Sequence, residues 1–415
     1  MSEQNKLLPK LRFPEFKSNQ KWEVIPLSSV SDVRDGTHDS PKFYDAGRPL
    51  LTSKNLLKDG SLDTVNVSFI SDSDFEQINK RSKVDIGDIL FGMIGTIGNP
   101  VMVKTDGFAI KNIALIKQKS DLLNSYLVQL LNSEYITKEF SILNTGNSQK
   151  FIALGQIRSL KIPAPSLLEQ QKVADCLSSL DDLITAQNQK VEALKQHKKG
   201  LMQQLFPAEG ETVPKLRFPE FKNDGEWSPK ILGTFIDERS SLANHDLPLY
   251  SLTIENGVTP KSERYERAFL VKDEADAYKV VEPNDFAFNP MNLRFGAIAR
   301  HAGDQKVALS KYYNIFYCNS TVDSRFCEAY FKSEYMVSVY DDIATGSLIE
   351  KRRVHFSKFL KLNLKFPELK EQQKIADLLT STDNLITAQT QQLKAYKTHK
   401  KGLMQQLFPS LQEVA

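Results

Sequence analysis

The strongest constraint on this chain is that it repeats itself once. Residues Pro9 to Lys17, PKLRFPEFK, recur unchanged as Pro214 to Lys222, and Trp22 is matched by Trp227 at the same offset of 205 positions. A second anchor, HKKGLMQQLFP from His197 to Pro207, recurs letter for letter from His399 to Pro409, and EQQKVAD from Glu169 to Asp175 returns as EQQKIAD from Glu371 to Asp377. Between the anchors only scattered matches survive, such as Ser133-Glu-Tyr135 with Ser333-Glu-Tyr335 and Thr145-Gly146 with Thr345-Gly346. Self-similarity of this kind means that one structural unit has been built twice. Each half is a divergent domain followed by a near-constant segment.

The constant segment reads as a long helix. From Ser166 to Phe206 there is no proline, Ser166 and Glu169 have capping-box spacing, and Pro207 stops the pattern. About 41 residues at roughly 1.5 Å each make a rod of about 60 Å. Its seam steps by four and three through Val173, Leu177, Leu180, Ile184, Gln187, Val191, Leu194, Lys198, Leu201 and Leu205. The second copy keeps the phase with Ile375, Leu379, Thr382, Ile386, Gln389, Leu393, Tyr396, Lys400, Leu403 and Leu407. Two heptad stripes in one chain predict an intramolecular coiled coil, and a pseudo-two-fold relation between the halves makes it antiparallel. The Gln- and Lys-rich outer faces are then free for partners. The expected order is a first domain at 1–165, a spacer helix at 166–207, a second domain at 208–365, a second spacer helix at 366–409 and a tail at 410–415.

Within the divergent domains the periodicity is mixed. Alternation over Val84 to Phe91, Phe108 to Ile116, Phe295 to Ala299 and Tyr313 to Tyr317 predicts strands, whereas Leu122 to Phe140 and Ser324 to Asp342 have helical spacing. Each domain is expected to be α+β. With 415 residues and 40% apolar content, the chain can bury a core in each. It lacks a run of about 18 uncharged apolar residues and an apolar stretch at Met1 to Lys10, so a cytoplasmic location is expected. The cysteines Cys176, Cys318 and Cys327 form no CxxC pair and have no histidine at ligand spacing, so neither a disulfide framework nor a metal site is expected. A net charge of +3 neither demands nor excludes a polyanionic partner, which leaves the question to local clusters.

Known catalytic patterns are missing. Gly92, Gly95 and Gly98 have G-x-x-G-x-x-G spacing rather than that of a dinucleotide loop, and Asn99-Pro100 with another apolar run follows them, which fits a strand-to-strand turn. There is no G-x-x-x-x-G-K-[ST], no H-x-E with P-C-x-x-C and no H-E-x-x-H. Asn289-Pro-Met-Asn292 lacks the aromatic that closes the base-binding loop of amino-methyltransferases. No catalytic residue is assigned, and no cofactor is expected in this chain.

What remains is recognition chemistry. Basic, amide and aromatic residues interleave at Lys42, Tyr44 and Arg48, at Ser53, Lys54 and Asn55, and at Asn147, Ser148, Gln149 and Lys150 in the first domain. In the second they do so at Arg264 and Tyr265, Asn292 and Arg294, Lys311 and Tyr312, and Lys351, Arg352 and Arg353. Arg and Lys pair with guanine edges or phosphates, and Asn and Gln pair with adenine, each good base pair contact being worth about 1 to 3 kcal/mol of discrimination. As a set, one cluster family per domain, these residues favour double-stranded DNA over a small ligand.

The layout of a variable domain before a helix that opens Pro163-Ala-Pro-Ser-Leu-Leu-Glu-Gln-Gln171, echoed as Phe366-Pro-Glu-Leu-Lys-Glu-Gln-Gln373, resembles the specificity subunits of type I restriction-modification systems. Asp35-Gly-Thr-His-Asp-Ser-Pro41, Leu50-Leu-Thr-Ser-Lys-Asn-Leu56, Gly87-Asp-Ile-Leu-Phe91 and Gly95-Thr-Ile-Gly98 are also similar to that family, which adds Thr37, His38 and Thr96 to the candidate DNA contacts. The second domain departs from it, with Asn284-Asp285 where the first has Gly87-Asp88. The resemblance implies a non-catalytic subunit that reads two half-sites separated by an unread gap. It also implies two methylation subunits and two restriction subunits as partners, which hold S-adenosylmethionine, ATP and Mg. The competing readings are a DNA-binding scaffold without enzymatic partners and a single-chain methyltransferase or nuclease.

Overall fold

A computed structural model describes residues 6–119, 121–143, 151–243, 247–261, 278–347 and 352–409. The chain folds into two compact units, Met1–Asn188 with Gln392–Ala415, and Gln189–Gln391. The long helices Leu167–Leu205 and Leu369–Leu407, each of 39 residues, are divided between them. Each unit thus holds one domain and one segment of each helix. Among the described residues no helix is long and apolar enough to cross a membrane.

In the first unit a four-stranded sheet runs in the order Ser31–Asp35, Ile113–Gln118, Ile89–Gly92, Gly98–Met102, with all neighbours antiparallel. A three-stranded sheet beside it has Arg48–Leu51 at its centre, paired parallel with Ala109–Ile110 and antiparallel with Ser68–Ile70. The second unit repeats the four-stranded sheet as Ile236–Arg239, Asn314–Cys318, Phe286–Phe288, Ile298–Arg300. This is the α+β architecture expected from the alternation of periodicities. The run Gly92 to Gly98 is a hairpin connection between two strands, as its glycine spacing implied.

Several elements are shorter than the periodicity suggests. Phe108 to Ile116 is interrupted at Lys111-Asn112, where Asn112 takes a left-handed φ of 55° and breaks the strand into two. Of Phe295 to Ala299 only Ile298 and Ala299 are extended, because Leu293–Phe295 forms a 3-10 turn closed by Gly296 at φ 85°. Of Val84 to Phe91 only the last residues pair, since Gly87 turns at φ 91°. Leu122 to Phe140 is two helices, Asn124–Leu131 and Glu134–Leu143, and Ser324 to Asp342 is likewise Ser324–Phe331 and Glu334–Ile343. The repeated Ser-Glu-Tyr motif is that break: Ser333 caps the helix that follows by accepting from the Met336 amide, and the Ser133 hydroxyl donates to the Leu130 carbonyl.

The helix segments pack within their own units. In the first, Leu403, Met404, Leu407 and Phe408 lie in one core with Val173, Leu177, Trp22 and Tyr126, and Lys400 donates to Asp181 at 2.6 Å. In the second, Leu201, Leu205 and Phe206 join Ile375, Leu379 and Trp227, and Lys198 bridges Asp383 at 2.6 Å. Both pairs run antiparallel: a higher number on one helix meets a lower number on the other. All the seam positions named from the heptad are buried or half-buried.

The repeated anchors turn out to be the joint between helix and domain. Arg12 donates to both oxygens of Glu169 at 2.7 Å, and Arg217 does the same to Glu371 at 2.8 and 2.7 Å. Each arginine is raised in pKa by the carboxylate it bonds, and burial opposes that rise. Gln170 accepts from the Leu123 amide at 2.9 Å and Gln372 from the Asp323 amide at 3.0 Å. Phe13 and Phe218 each lie under a lysine, Lys172 and Lys374, at 5.7 Å. The Ser166–Glu169 capping box is only half realised: the Glu169 amide donates to Ser166, but the Glu169 carboxylate goes to Arg12. A bidentate guanidinium is a stronger partner for a buried carboxylate than a single helix-end amide.

Candidate nucleic-acid interface

Strand register brings the variable loops of each domain to one end of its four-stranded sheet. In the first domain Asp35 pairs with Ala114 and Gly92 with Ile113, so the loop after Asp35, the hairpin at 93–97 and the turn at Lys111-Asn112 emerge together. Leu51 pairs with Ile110, which adds the turn Ser53–Asn55. In the second domain Phe288 pairs with Asn314 and Arg239 with Ile315, so the loop after Arg239, the loop at 289–297 and the turn at 311–313 share the corresponding end.

The first of these ends is tightly built. The Thr37 amide donates to the Ile110 carbonyl at 3.0 Å, the Asn112 amide to Thr37 at 3.1 Å, and Ser53 Oγ to the Asn112 carbonyl at 3.1 Å. Gly36 is required here, since a Cβ would stand against the Ile110 carbonyl oxygen closer than van der Waals contact allows. His38 lies between Asn112 Oδ1 and Asp35 Oδ2, each 2.8 Å from a ring nitrogen. Both partners are acceptors, a pairing that only the doubly protonated imidazolium satisfies. The Asn112 and Asp35 bonds accordingly raise the His38 pKa. Asp35 also pairs with Arg81, whose side chain is 67% exposed. Lys111 donates to Ser40 at 2.6 Å.

Thr37, His38, Ser53, Lys54 and Thr96 therefore belong to loops at this end. Their exposure differs: Lys54 and His38 face solvent, Thr37 and Thr96 are half-buried, and Ser53 is buried. Asn55 lies in the same turn and is committed to its structure. It is 5% exposed, and its amide holds the turn through Thr52, Asp63 and Asn66. Arg48 is placed away from the cluster, at the opposite end of strand Arg48–Leu51, where it pairs with Asp72 at 2.6 Å and covers Phe75. Lys42 lies over the Tyr44 ring at 5.4 Å, and Tyr44 pairs with Phe69 on the outer strand of the three-stranded sheet. Asn147, Ser148, Gln149, Lys150, Arg264, Tyr265 and Lys351 lie outside the described residues.

In the second domain Asn292, Arg294, Lys311 and Tyr312 come from the loops at the sheet end. Arg352 joins them, because Val354 donates to Pro290 at 2.9 Å and Asp341 pairs with both Arg294 and Arg352, at 3.4 and 3.3 Å. Arg353 is exposed and its backbone pairs with Thr345. The turn Lys311 to Tyr313 sits where Lys111-Asn112 sits in the first domain, between the last short strand and the central strand. The sequence analysis named Lys311 and Tyr312 of the second turn as candidates and did not name Lys111, Asn112 or Arg81, which the structure brings to the equivalent end of the first domain. The signal was present: Lys111 and Lys311 are 200 positions apart, the offset that relates the surviving matches between the domains.

The departure of Asn284-Asp285 from Gly87-Asp88 proves to be conservative in structure. Asn284 adopts φ 68° where Gly87 has 91°, asparagine being the residue that best tolerates the left-handed region after glycine. Asp88 and Asp285 each accept from the amide three residues earlier at 2.8 Å. Each also holds a cation, Lys117 at 2.6 Å and Arg239 at 2.5 Å. Burial raises Asp285, and its bond to Arg239 opposes this. The motif is a turn support, not a reading group.

These features coincide with known proteins. The family model for the type I restriction modification DNA specificity domain matches residues 19–196 and 305–395. The type I restriction enzyme MjaVIII specificity subunit of Methanocaldococcus jannaschii is 23% identical over 425 residues, covering 96% of this chain and 93% of that protein. The putative MjaX specificity subunit of the same organism is 30% identical over 196 residues, 45% of this chain and 46% of that protein. The type I restriction-modification S subunit from M. genitalium has the same fold, with TM-score 0.59, 13% identity and coverage of 98% of this chain and 100% of that one. A chain of a type I R-M system solved to explain complex assembly and conformational transition gives TM-score 0.55 at 15% identity, over 94% and 97% of the two chains. With two segments matched across more than half its length, the chain belongs to the type I restriction-modification DNA specificity family and is a specificity subunit that recognises DNA sequence.

Proposed function

We propose that each domain reads one half of a split DNA target through the loops at the end of its four-stranded sheet, and that the chain performs no chemistry itself. The observation that carries this is the contrast within the repeat. The residues joining helix to domain, Arg12 with Glu169 and Arg217 with Glu371, are identical, while the loops delivered to equivalent sheet ends differ. A constant mount with two different tips suits a subunit that must address two different half-sites. Methylation and restriction subunits, two of each, are its enzymatic partners. They carry the S-adenosylmethionine, ATP and Mg chemistry for which this chain has no loop motif. A cytoplasmic location follows from work on chromosomal DNA.

Domain exchange tests this. Replacing Ser31 to Leu160 with the corresponding region of a related subunit should change one half-site and leave the other intact, read as the methylated sequence in cells supplied with the methylation subunit. A change in both half-sites would show that the domains do not read independently. Methyl transfer by the pure chain alone would overturn the non-catalytic assignment.

A further inference from the structure

The second domain holds out an aromatic ring for which its fold has no use. Tyr312 is 81% exposed. The next residue is nevertheless anchored: Tyr313 packs against the core around Leu252 and Ile315, its amide donates to the Ser310 carbonyl at 3.1 Å, and Lys279 donates to its carbonyl at 3.1 Å. The other loop at the same sheet end also exposes apolar groups, Met291 at 52% and Phe295 at 54%, with the Arg294 guanidinium 4.7 Å from the Phe295 ring centre. Phosphate binding alone would need the cations and not the rings. Exposed rings beside the exposed Lys311 are the chemistry of a surface on which nucleobases stack.

We propose that Tyr312 inserts its ring against a base of the second half-site, partly unstacking one base step, while Lys311 neutralises the adjoining phosphate. This rests on the reading that the sheet ends face DNA. It also separates the two domains in mechanism. At the equivalent turn the first domain has Asn112, held in place by His38 and Ser53, and so presents hydrogen-bonding groups there in place of a ring. A side chain wedged into a base step specifies sequence through the ease of unstacking as well as through contact.

The test uses the full chain assembled with its methylation subunits. The target is first taken from the methylated sequence in cells, and duplexes are then made with 2-aminopurine at successive positions of the second half-site. Wild-type binding should brighten one position several-fold. Tyr312→Ala should abolish that rise and weaken binding by about 5- to 150-fold, the range for loss of one base–aromatic stack, while Tyr312→Phe retains both. Discrimination at the other positions of the second half-site should be unchanged in all three, which reports that the second domain is folded in the variants. Wild-type affinity and fluorescence in Tyr312→Ala would overturn the inference alone. Absence of sequence-dependent binding by the wild-type assembly would overturn the DNA-facing assignment, and this inference with it.

Discussion

His38 shows how a single side chain reports the geometry of the first sheet end. Two acceptors 2.8 Å from its ring nitrogens favour the charged form, so its native pKa stands above the ordinary 6.5. The folded state then binds the proton more tightly than the unfolded chain. The resulting stabilisation is complete below about pH 6.5 and is lost as pH rises through the raised native value. With the side chain 53% exposed, solvent screening keeps the effect within the roughly 1 kcal/mol of a surface pair. An NMR titration should place His38 above 6.5, and Asn112→Ala, which removes the largest cause, should bring it down. A His38 that titrates at or below 6.5 would contradict the arrangement. Its neighbours Lys111 and Asn112 were passed over at sequence level because they sit inside the apolar run Phe108 to Ile116, and only their 200-residue offset from the Lys311 turn marks them. One left-handed residue divides that run into two strands.

The elements that matter most are the long helices, and their duplicated first turns carry the load of holding a domain in place. Arg12 and Glu169 are 8% and 1% exposed, and Arg217 and Glu371 have the same values. Removing one member of a buried pair strands the other charge, at a cost of about 3 to 5 kcal/mol, whereas removing both costs less. Glu169→Ala should therefore destabilise the first unit by that amount, and the Arg12→Ala, Glu169→Ala double variant by clearly less than the sum of the single losses. Urea unfolding of the four proteins in the cycle measures this, and strict additivity would mean that the pair is not coupled. The heptad stripe was legible because burial follows the 3.5-residue repeat. The true use of Glu169 was not, since its partner lies 157 positions away.

At the scale of the molecule, both ends of the described chain belong to the first unit. The Leu11 amide donates to the Gln406 carbonyl at 2.9 Å, and Phe13 packs on the core that contains Phe408. The same bond recurs in the second unit between Leu216 and Gln204, there within an unbroken chain. The stretch Pro9 to Phe13 thus meets the end of a long helix just as Pro214 to Phe218 does, and only a peptide connection is lacking. Joining Pro409 to Pro9 through a short linker and opening the chain within Ala208 to Thr212 should preserve folding and the methylated target. A folded permutant that directs methylation to a different sequence would sink the equivalence of the two connections.

The duplication, the two long helices, their seam and the family are legible in the order of residues, because these depend on periodicity and on anchors that can be compared letter by letter. The sequence also named Lys311, Tyr312, Asn292 and Arg294 as candidates, and strand register brings their loops to one sheet end. Which basic and amide groups meet depends on contacts between residues far apart in the chain. Strand register carries Lys111 to the end where His38 and Lys54 lie, sends Arg48 to the far end of its strand, and turns Asn55 inward. A side chain's availability depends on its nearest competing partner. Asn55 finds backbone carbonyls eight and eleven residues on, and Arg48 finds Asp72. Nothing in the local pattern of residues distinguishes either from a neighbour left free to meet DNA.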